Sequence, residues 1–253
     1  MKTLGIFVLG LIFVFLVTQN GFSATDKSLM LYLPFEEGNG DVTKDNSQYK
    51  HEAKLTNSPK WVDGKRGKAL QFTGTNYVIV PIVDDLQLRE KFTVNFWVKR
   101  DDTQPAEWTY MVAAGTLKWA VIFNSNQKLG YVWSTAGAWG QRLVTKDQIT
   151  TDWLYIAVTY DIDKGVEWYI NGQDKPIGTG VQPPKVDAID GSIMVGARHP
   201  GQEFFKGIID EVAIYNRILT LDEIKRDMGG IGGAAVSPKS KLASAWGSIK
   251  EAN

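Results

Sequence analysis

Between Leu29 and Tyr215 the chain is broken by Gly, Asn, Asp and Pro at intervals of roughly 8–12 residues, with segments of alternating apolar and polar side chains between them. That punctuation suits short extended segments and leaves little room for helices, whose apolar positions recur every 3.6 residues. Successive side chains of a strand point to opposite faces. In Phe92-Thr-Val-Asn-Phe-Trp-Val98, residues Phe92, Val94, Phe96 and Val98 therefore share one face, and Thr93, Asn95 and Trp97 the other. The segment reads as a half-buried antiparallel strand. Further strands are expected at Leu29 to Glu36, Ala69 to Phe72, Tyr77 to Val80, Met111 to Ala114, Trp119 to Asn124, Lys128 to Trp133, Trp153 to Asp161, Gly165 to Asn171, Ser192 to Ala197 and Gly207 to Asn216.

Two turns pin the register. Asp161-Ile-Asp-Lys-Gly165 is a glycine-containing loop of hairpin length, and Asn171-Gly172 supplies a pair suited to positive φ. One helix is expected. Thr220-Leu-Asp-Glu223 is a capping box, Leu221, Ile224 and Met228 form an apolar stripe, and Gly229 ends it. The helix is expected to shed one face onto the sandwich.

Outside this body, Lys2 precedes an apolar run from Leu4 to Val17, and small residues follow at Gly21, Ser23 and Ala24. The run is shorter than the roughly 20 apolar residues of a membrane span. It reads as a secretory signal, residues 1–23, removed from a mature protein that does not insert in a membrane. The domain is expected at 27–228, followed by a glycine-rich linker and tail at 229–253, where Leu242, Trp246 and Ile249 recur at helical spacing.

The 28 basic and 28 acidic residues cancel, so there is no electrostatic footprint for nucleic acid. The absence of cysteine excludes disulfides and thiolate metal sites. Stability must come from the core, or from the core with a bound ion.

Several ordered motifs resemble a known family. Leu33-Pro-Phe-Glu-Glu-Gly-Asn-Gly40, Asp45-Asn-Ser47, Gly67-Lys-Ala-Leu-Gln-Phe-Thr-Gly74 and Tyr77-Val-Ile-Val-Pro81 are similar to the opening of a laminin-G-like domain of the concanavalin A-like lectin/glucanase superfamily. Trp153-Leu-Tyr-Ile-Ala-Val-Thr-Tyr-Asp161 and Trp168-Tyr-Ile-Asn-Gly172 resemble its central strands, and Phe205-Lys-Gly-Ile-Ile-Asp-Glu-Val-Ala-Ile-Tyr-Asn-Arg217 its last strand. The resemblance covers residues 29 to 228 and implies an all-β fold: a two-sheet antiparallel jelly roll with one short C-terminal helix. The chain departs from the family pattern at Gln48-Tyr-Lys-His51, where a glycine-rich turn is usual.

Function does not transfer with fold. A retaining glycosidase of this superfamily is expected to place carboxylates at period-two spacing, two of them about 5 Å apart across the scissile bond. Here Glu36-Glu37, Asp210-Glu211 and Asp222-Glu223 are adjacent pairs, and His51 and His199 lack a nucleophile elbow. The chain is therefore expected not to be an enzyme. The carboxylates suit another use. Glu37 follows Leu33 and Phe35 in alternation, and Asp210 shares a face with Ile208, Val212 and Ile214. The resemblance makes the first and last strands neighbours. Glu37, Asp45 and Asp210 are thus candidate ligands for a structural Ca²⁺, with loop hydrogen bonding as the alternative.

Trp108 and Trp139 fall in Pro- and Gly-containing loops, with Asn124, Asn126 and Gln141 nearby in sequence. An indole there is either a platform for a sugar face or a cap on the sandwich. The leading expectation is a secreted, extracellular or cell-surface module that binds a glycan or another extracellular macromolecule. The alternatives are a glycoside hydrolase and a structural spacer or surface-coat domain.

Overall fold

The computed structural model describes residues 26–116, 118–124, 126–134, 142–145, 148–179, 185–198 and 201–231. The expected signal segment, Trp139, His199 and the tail beyond residue 231 lie outside them.

Among the described residues sixteen strands form two antiparallel eight-stranded sheets. The first holds β1 (Leu29–Leu33), β4 (Lys60–Asp63), β5 (Lys68–Thr73), β7 (Lys91–Arg100), β12 (Leu154–Asp161), β13 (Gly165–Ile170), β14 (Gly178–Thr179) and β16 (Lys206–Tyr215). The second holds β2 (Val42–Lys44), β3 (Glu52–Thr56), β6 (Tyr77–Pro81), β8 (Trp108–Ala114), β9 (Trp119–Asn124), β10 (Leu129–Trp133), β11 (Arg142–Val144) and β15 (Ser192–Val195). The strand orders are β14-β13-β12-β7-β16-β5-β4, with β1 also on β16, and β11-β10-β9-β8-β15-β6-β3-β2. This is the expected jelly-roll sandwich. Strands β2, β3, β4, β11 and β14 go beyond the sequence expectation; they are short, and several are largely polar.

The inward faces meet in one core. Phe92, Val94, Phe96 and Val98 of β7 all join it. Phe92 stacks on Tyr160 at 4.8 Å and lies 5.1 Å from Trp119.

The other face of β7 is not solvated, contrary to the half-buried expectation: Thr93 and Asn95 have no exposed surface. The cover is helix α1 (Leu221–Met228), which starts with the capping box of Thr220 and Glu223. Its Ile224 and Met228 pack with Leu29, Tyr32, Trp97, Tyr155, Ala213 and Tyr215 on the outer face of the first sheet. The hairpin closes at Asp161 opposite Gly165, and Asn171 and Gly172 take φ of 52° and 62°. Among the described residues no helix is long and apolar enough to cross a membrane.

Candidate functional site

One bulge in β16 decides where its carboxylates go. Asp210 lies opposite Trp97 and Ala213 opposite Asn95, so β16 carries one residue more than β7 across this step. Glu211 absorbs the extra residue with φ of +56°. Ile209 and Val212 then both reach the inner core. Asp210 falls on the outer face with Trp97, not on the core side with Val212 and Ile214 as alternation predicts. At the same point the edge partner of β16 changes: Ile209 pairs with Leu70 of β5, and Val212 with Leu33 of β1.

The two carboxylates serve the two partners. Asp210 is fully buried, and its Oδ2 accepts from the Arg66 backbone N–H at 2.9 Å while its Oδ1 has no partner among the described residues. Burial, reinforced by the charges of Glu211 and Glu36, pushes its pKa up to about 8. Glu211 accepts the Tyr32 hydroxyl at 2.7 Å, and burial raises its pKa too.

Glu37 and Asp45 do not join Asp210. Phe35 has φ of +57°, which breaks the alternation that pointed Glu37 toward the first strand's neighbours. Glu37 instead accepts from Thr43 Oγ1 at 3.1 Å and from the Lys44 N–H at 2.8 Å. Asp45 is buried and has no spare capacity. Its Oδ1 accepts from Tyr32 N at 2.9 Å and Ser47 N at 2.8 Å. Its Oδ2 contacts Ser47 Oγ at 2.8 Å, His51 N at 2.9 Å and His51 Nδ1 at 2.7 Å. Burial raises the Asp45 pKa, but these donors outweigh it and leave the group below its ordinary value. His51 is clamped on its other side by Asp85 at 3.0 Å. Its own burial is likewise outweighed by the two carboxylates, and its pKa is raised.

Among the described residues no three His, Asp or Glu side chains are grouped to hold a metal ion. Of the three residues expected from the sequence, only Asp210 keeps a carboxylate oxygen with no hydrogen-bond partner among the described residues. A second carboxylate, the exposed Glu36 that sequence alternation passed over, acts on Asp210 through its charge. The turn from Gly64 to Gly67 accommodates both. A Cβ on Gly64 would sit 2.6 Å from Asp210 Oδ2, and one on Gly67 would overlap the Glu36 carboxylate. Glu36 also accepts from the Lys68 N–H at 3.2 Å.

Trp108 is not a loop residue. It opens β8 opposite Asn124 and is half-buried, packed beside Tyr110, Ile122 and Val132 on the outer face of the second sheet. Its neighbour Asn124 borders a cavity of about 250 Å³ whose wall includes Arg100, Asp102, Gln104, Phe123 and Gln127. Arg100 continues the inward parity of Phe92, Val94, Phe96 and Val98. Its guanidinium thus closes the end of the core, 5% exposed. Its Nε donates to Ile149 O at 3.3 Å, its Nη1 to Asp101 O at 3.1 Å, and its Nη2 to Gln127 Oε1 at 2.6 Å and Ile149 O at 3.2 Å. Gln104 braces the adjoining loop by donating to Asp101 O and Lys206 O and accepting from Lys206 N. Sequence reasoning missed Arg100, although the parity of β7 points to it.

Solved structures share this architecture. The binding domain of Paraclostridial Mosquitocidal Protein 1 superposes with a TM-score of 0.65 and 17% identity, over 79% of this chain and 51% of that one. The receptor binding domain of botulinum neurotoxin C/D mosaic serotype gives 0.64 and 16%, over 81% and 51%. The chain thus spans about half the length of those two domains. Domain 4 of AbnA, a GH43 extracellular arabinanase from Geobacillus stearothermophilus solved with arabinotriose, gives 0.61 and 22%, over 79% and 97%. At these identities the likeness is one of fold. No curated protein matches the sequence. The Laminin_G_3 family model matches residues 72–225, from β5 through most of α1, and the chain belongs to that family of the concanavalin A-like lectin/glucanases superfamily.

Proposed function

We propose that the chain is a non-catalytic binding module acting outside the cell, with a glycan or another extracellular macromolecule as its ligand. The observation that carries this reading is the cavity at the end of the sandwich, where β7 and the β9–β10 turn deliver Arg100, Asn124 and Gln127 to one wall. Convergent polar groups on a rigid scaffold are what a small-molecule or glycan site requires. The solved structures of similar fold support it, since their names describe two binding domains and a domain solved with arabinotriose. A glycan array, with pull-downs on cell-wall and matrix polymers, tests the reading. Retention of a defined glycan or polymer is the expected result, and no ligand at high micromolar protein overturns it.

We also infer a structural role for Ca²⁺, with Asp210 as its buried carboxylate and Glu36 as a second carboxylate at the Gly64–Gly67 turn. A hard cation takes oxygen ligands and would satisfy the unpartnered Oδ1 of Asp210. Its charge would hold that carboxylate ionised where β5 and β1 meet on β16.

A further inference from the structure

We propose that the end cavity takes a carboxylate-bearing sugar unit, a uronic or nonulosonic acid, in preference to a neutral one. This deepens the binding-module reading and rests on it.

The wall of the cavity is rich in hydrogen-bond donors. Each carboxamide there has its oxygen already accepting a hydrogen bond inside the protein. Asn124 Oδ1 accepts from the Lys128 N–H at 2.9 Å, and Gln127 Oε1 accepts from Arg100 Nη2 at 2.6 Å. What Asn124 and Gln127 keep without any partner among the described residues is the NH₂ group, a donor, beside an oxygen that already accepts one bond. Arg100 has five N–H donors, four of which are engaged by the bonds described above, so one Nη1 hydrogen lacks an acceptor among the described residues. Three residues that carry such donors, Arg100, Asn124 and Gln127, thus line one cavity.

Charge points the same way. A buried guanidinium is normally paired with a carboxylate, yet Arg100 has no carboxylate within ion-pairing distance among the described residues. Its neutral acceptors are the Ile149 and Asp101 carbonyls and the Gln127 amide. The carboxylate of adjacent Asp101 turns instead to Lys206 at 3.4 Å. The guanidinium therefore hydrogen-bonds only to neutral acceptors, and Asp102 of the wall acts on it through space without an ion-pair contact. A planar carboxylate complements the guanidinium fork. The opposing feature is Asp102, an exposed carboxylate at the rim.

The backbone is committed to this arrangement. Gln127 sits at φ of +61°, which an L side chain seldom adopts, and is held by Gln127 N to Asn124 O at 2.9 Å and Ile149 N to Gln127 O at 2.7 Å. That conformation carries its side chain onto Arg100. A volume of about 250 Å³ lies below the roughly 300–1,000 Å³ of sites for drug-sized ligands, so the cavity fits one sugar unit rather than a long stretch of polymer.

The test compares methyl glucuronoside with its methyl ester, and N-acetylneuraminate with its methyl ester, by ligand-observed NMR and calorimetry on the full chain. Each pair differs in charge and hardly in shape. The acids are expected to bind at least 10-fold tighter than their esters, with the difference shrinking as salt rises from 50 to 500 mM. Asp102→Asn, exposed and outside the core, is expected to tighten the acids several-fold and leave the esters unchanged. Arg100→Lys keeps a cation and loses the fork, so it is expected to weaken the acids about 10-fold. Because Arg100 also bonds Ile149, a poorly folded Arg100→Lys leaves the decision to Asp102→Asn. Equal affinity for acid and ester, or acid binding indifferent to Asp102→Asn, overturns the proposal. Ester or neutral-glycan binding without acid binding also overturns it while the binding-module reading stands; silence from both forms, together with an empty array, removes both.

Discussion

Tyr32 in the first strand and Glu211 in the last are 179 positions apart in sequence and 2.7 Å apart in space, hydroxyl donating to carboxylate. The bond lies at the bulge where β16 exchanges one edge partner for another, so it secures β1 where the sheet is least regular. Tyr32→Phe leaves a buried carboxylate without its donor, a loss of about 1–3 kcal/mol. At this size each kcal/mol moves Tm by about 2–4 °C, so thermal melts are expected to fall by several degrees. Glu211→Gln keeps an acceptor and removes the buried charge, and is expected to lose less. Equal melting of Tyr32→Phe and wild type would deny the bond any weight.

Chelation tests the ion at Asp210. An ion site saturated at 100 times its dissociation constant stabilises by about 2.7 kcal/mol, so EDTA is expected to lower Tm by several degrees and calcium to restore it. Asp210→Asn is expected to abolish most of that difference, while Glu37→Gln and Asp45→Asn leave it in place. A wild-type melting curve the same in EDTA and in calcium, with metal-free protein verified by elemental analysis, rules the ion out.

His51 gives a pH signature of definite sign. Burial alone would lower its folded pKa, but the carboxylates of Asp45 and Asp85 raise it above the ordinary imidazole value of 6.5. The stabilisation is therefore full below the unfolded pKa and is lost as pH rises through the folded one. Asp45 is lowered, so its share is present above its unfolded pKa and fades as pH falls through the folded one. Melts are expected to decline across neutral pH, with a slope that His51→Gln flattens. With two histidines in the chain, an NMR titration of the His199→Gln variant reads His51 alone. A value at or below 6.5 contradicts the clamp.

The core makes a plain prediction. Phe92 touches Tyr160 and Trp119 and has no exposed surface. Phe92→Ala is expected to destabilise by about 3–5 kcal/mol, read as a lower denaturation midpoint with an unchanged slope.

The regular parts of this fold are legible in the sequence because period-two alternation and a capping box are local rules that tertiary contacts then obey. Phe92, Val94, Phe96 and Val98 face the core and Thr220 to Met228 forms the capped helix as their residues predict, while the opposite face of β7 is buried because that helix covers it. The failures sit where backbone geometry departs from the rule without a glycine to announce it. Phe35 and Glu211 both take positive φ. The first shifts parity so that Glu36, and not Glu37, stands by the Gly64–Gly67 turn. The second turns Asp210 to the outer face. Trp108 was misplaced because Gln104-Pro-Ala-Glu before it reads as a loop, and the strand begins immediately after. Arg100 was readable: it holds the inward parity of β7, and a cation at a core position is the anomaly worth following.

Joining the first strand to the last also sets a schedule for synthesis. Arg217 reaches back 189 positions to the Ser28 hydroxyl at 2.7 Å, and Asn216 N–H bonds Ser28 O. At roughly 5–20 residues per second a ribosome needs about 10–40 s to cover that distance. Throughout that interval β1 has no edge to join, and Leu31 and Leu33 wait in water. The leading strand therefore stays without its sheet partner until the last strand emerges.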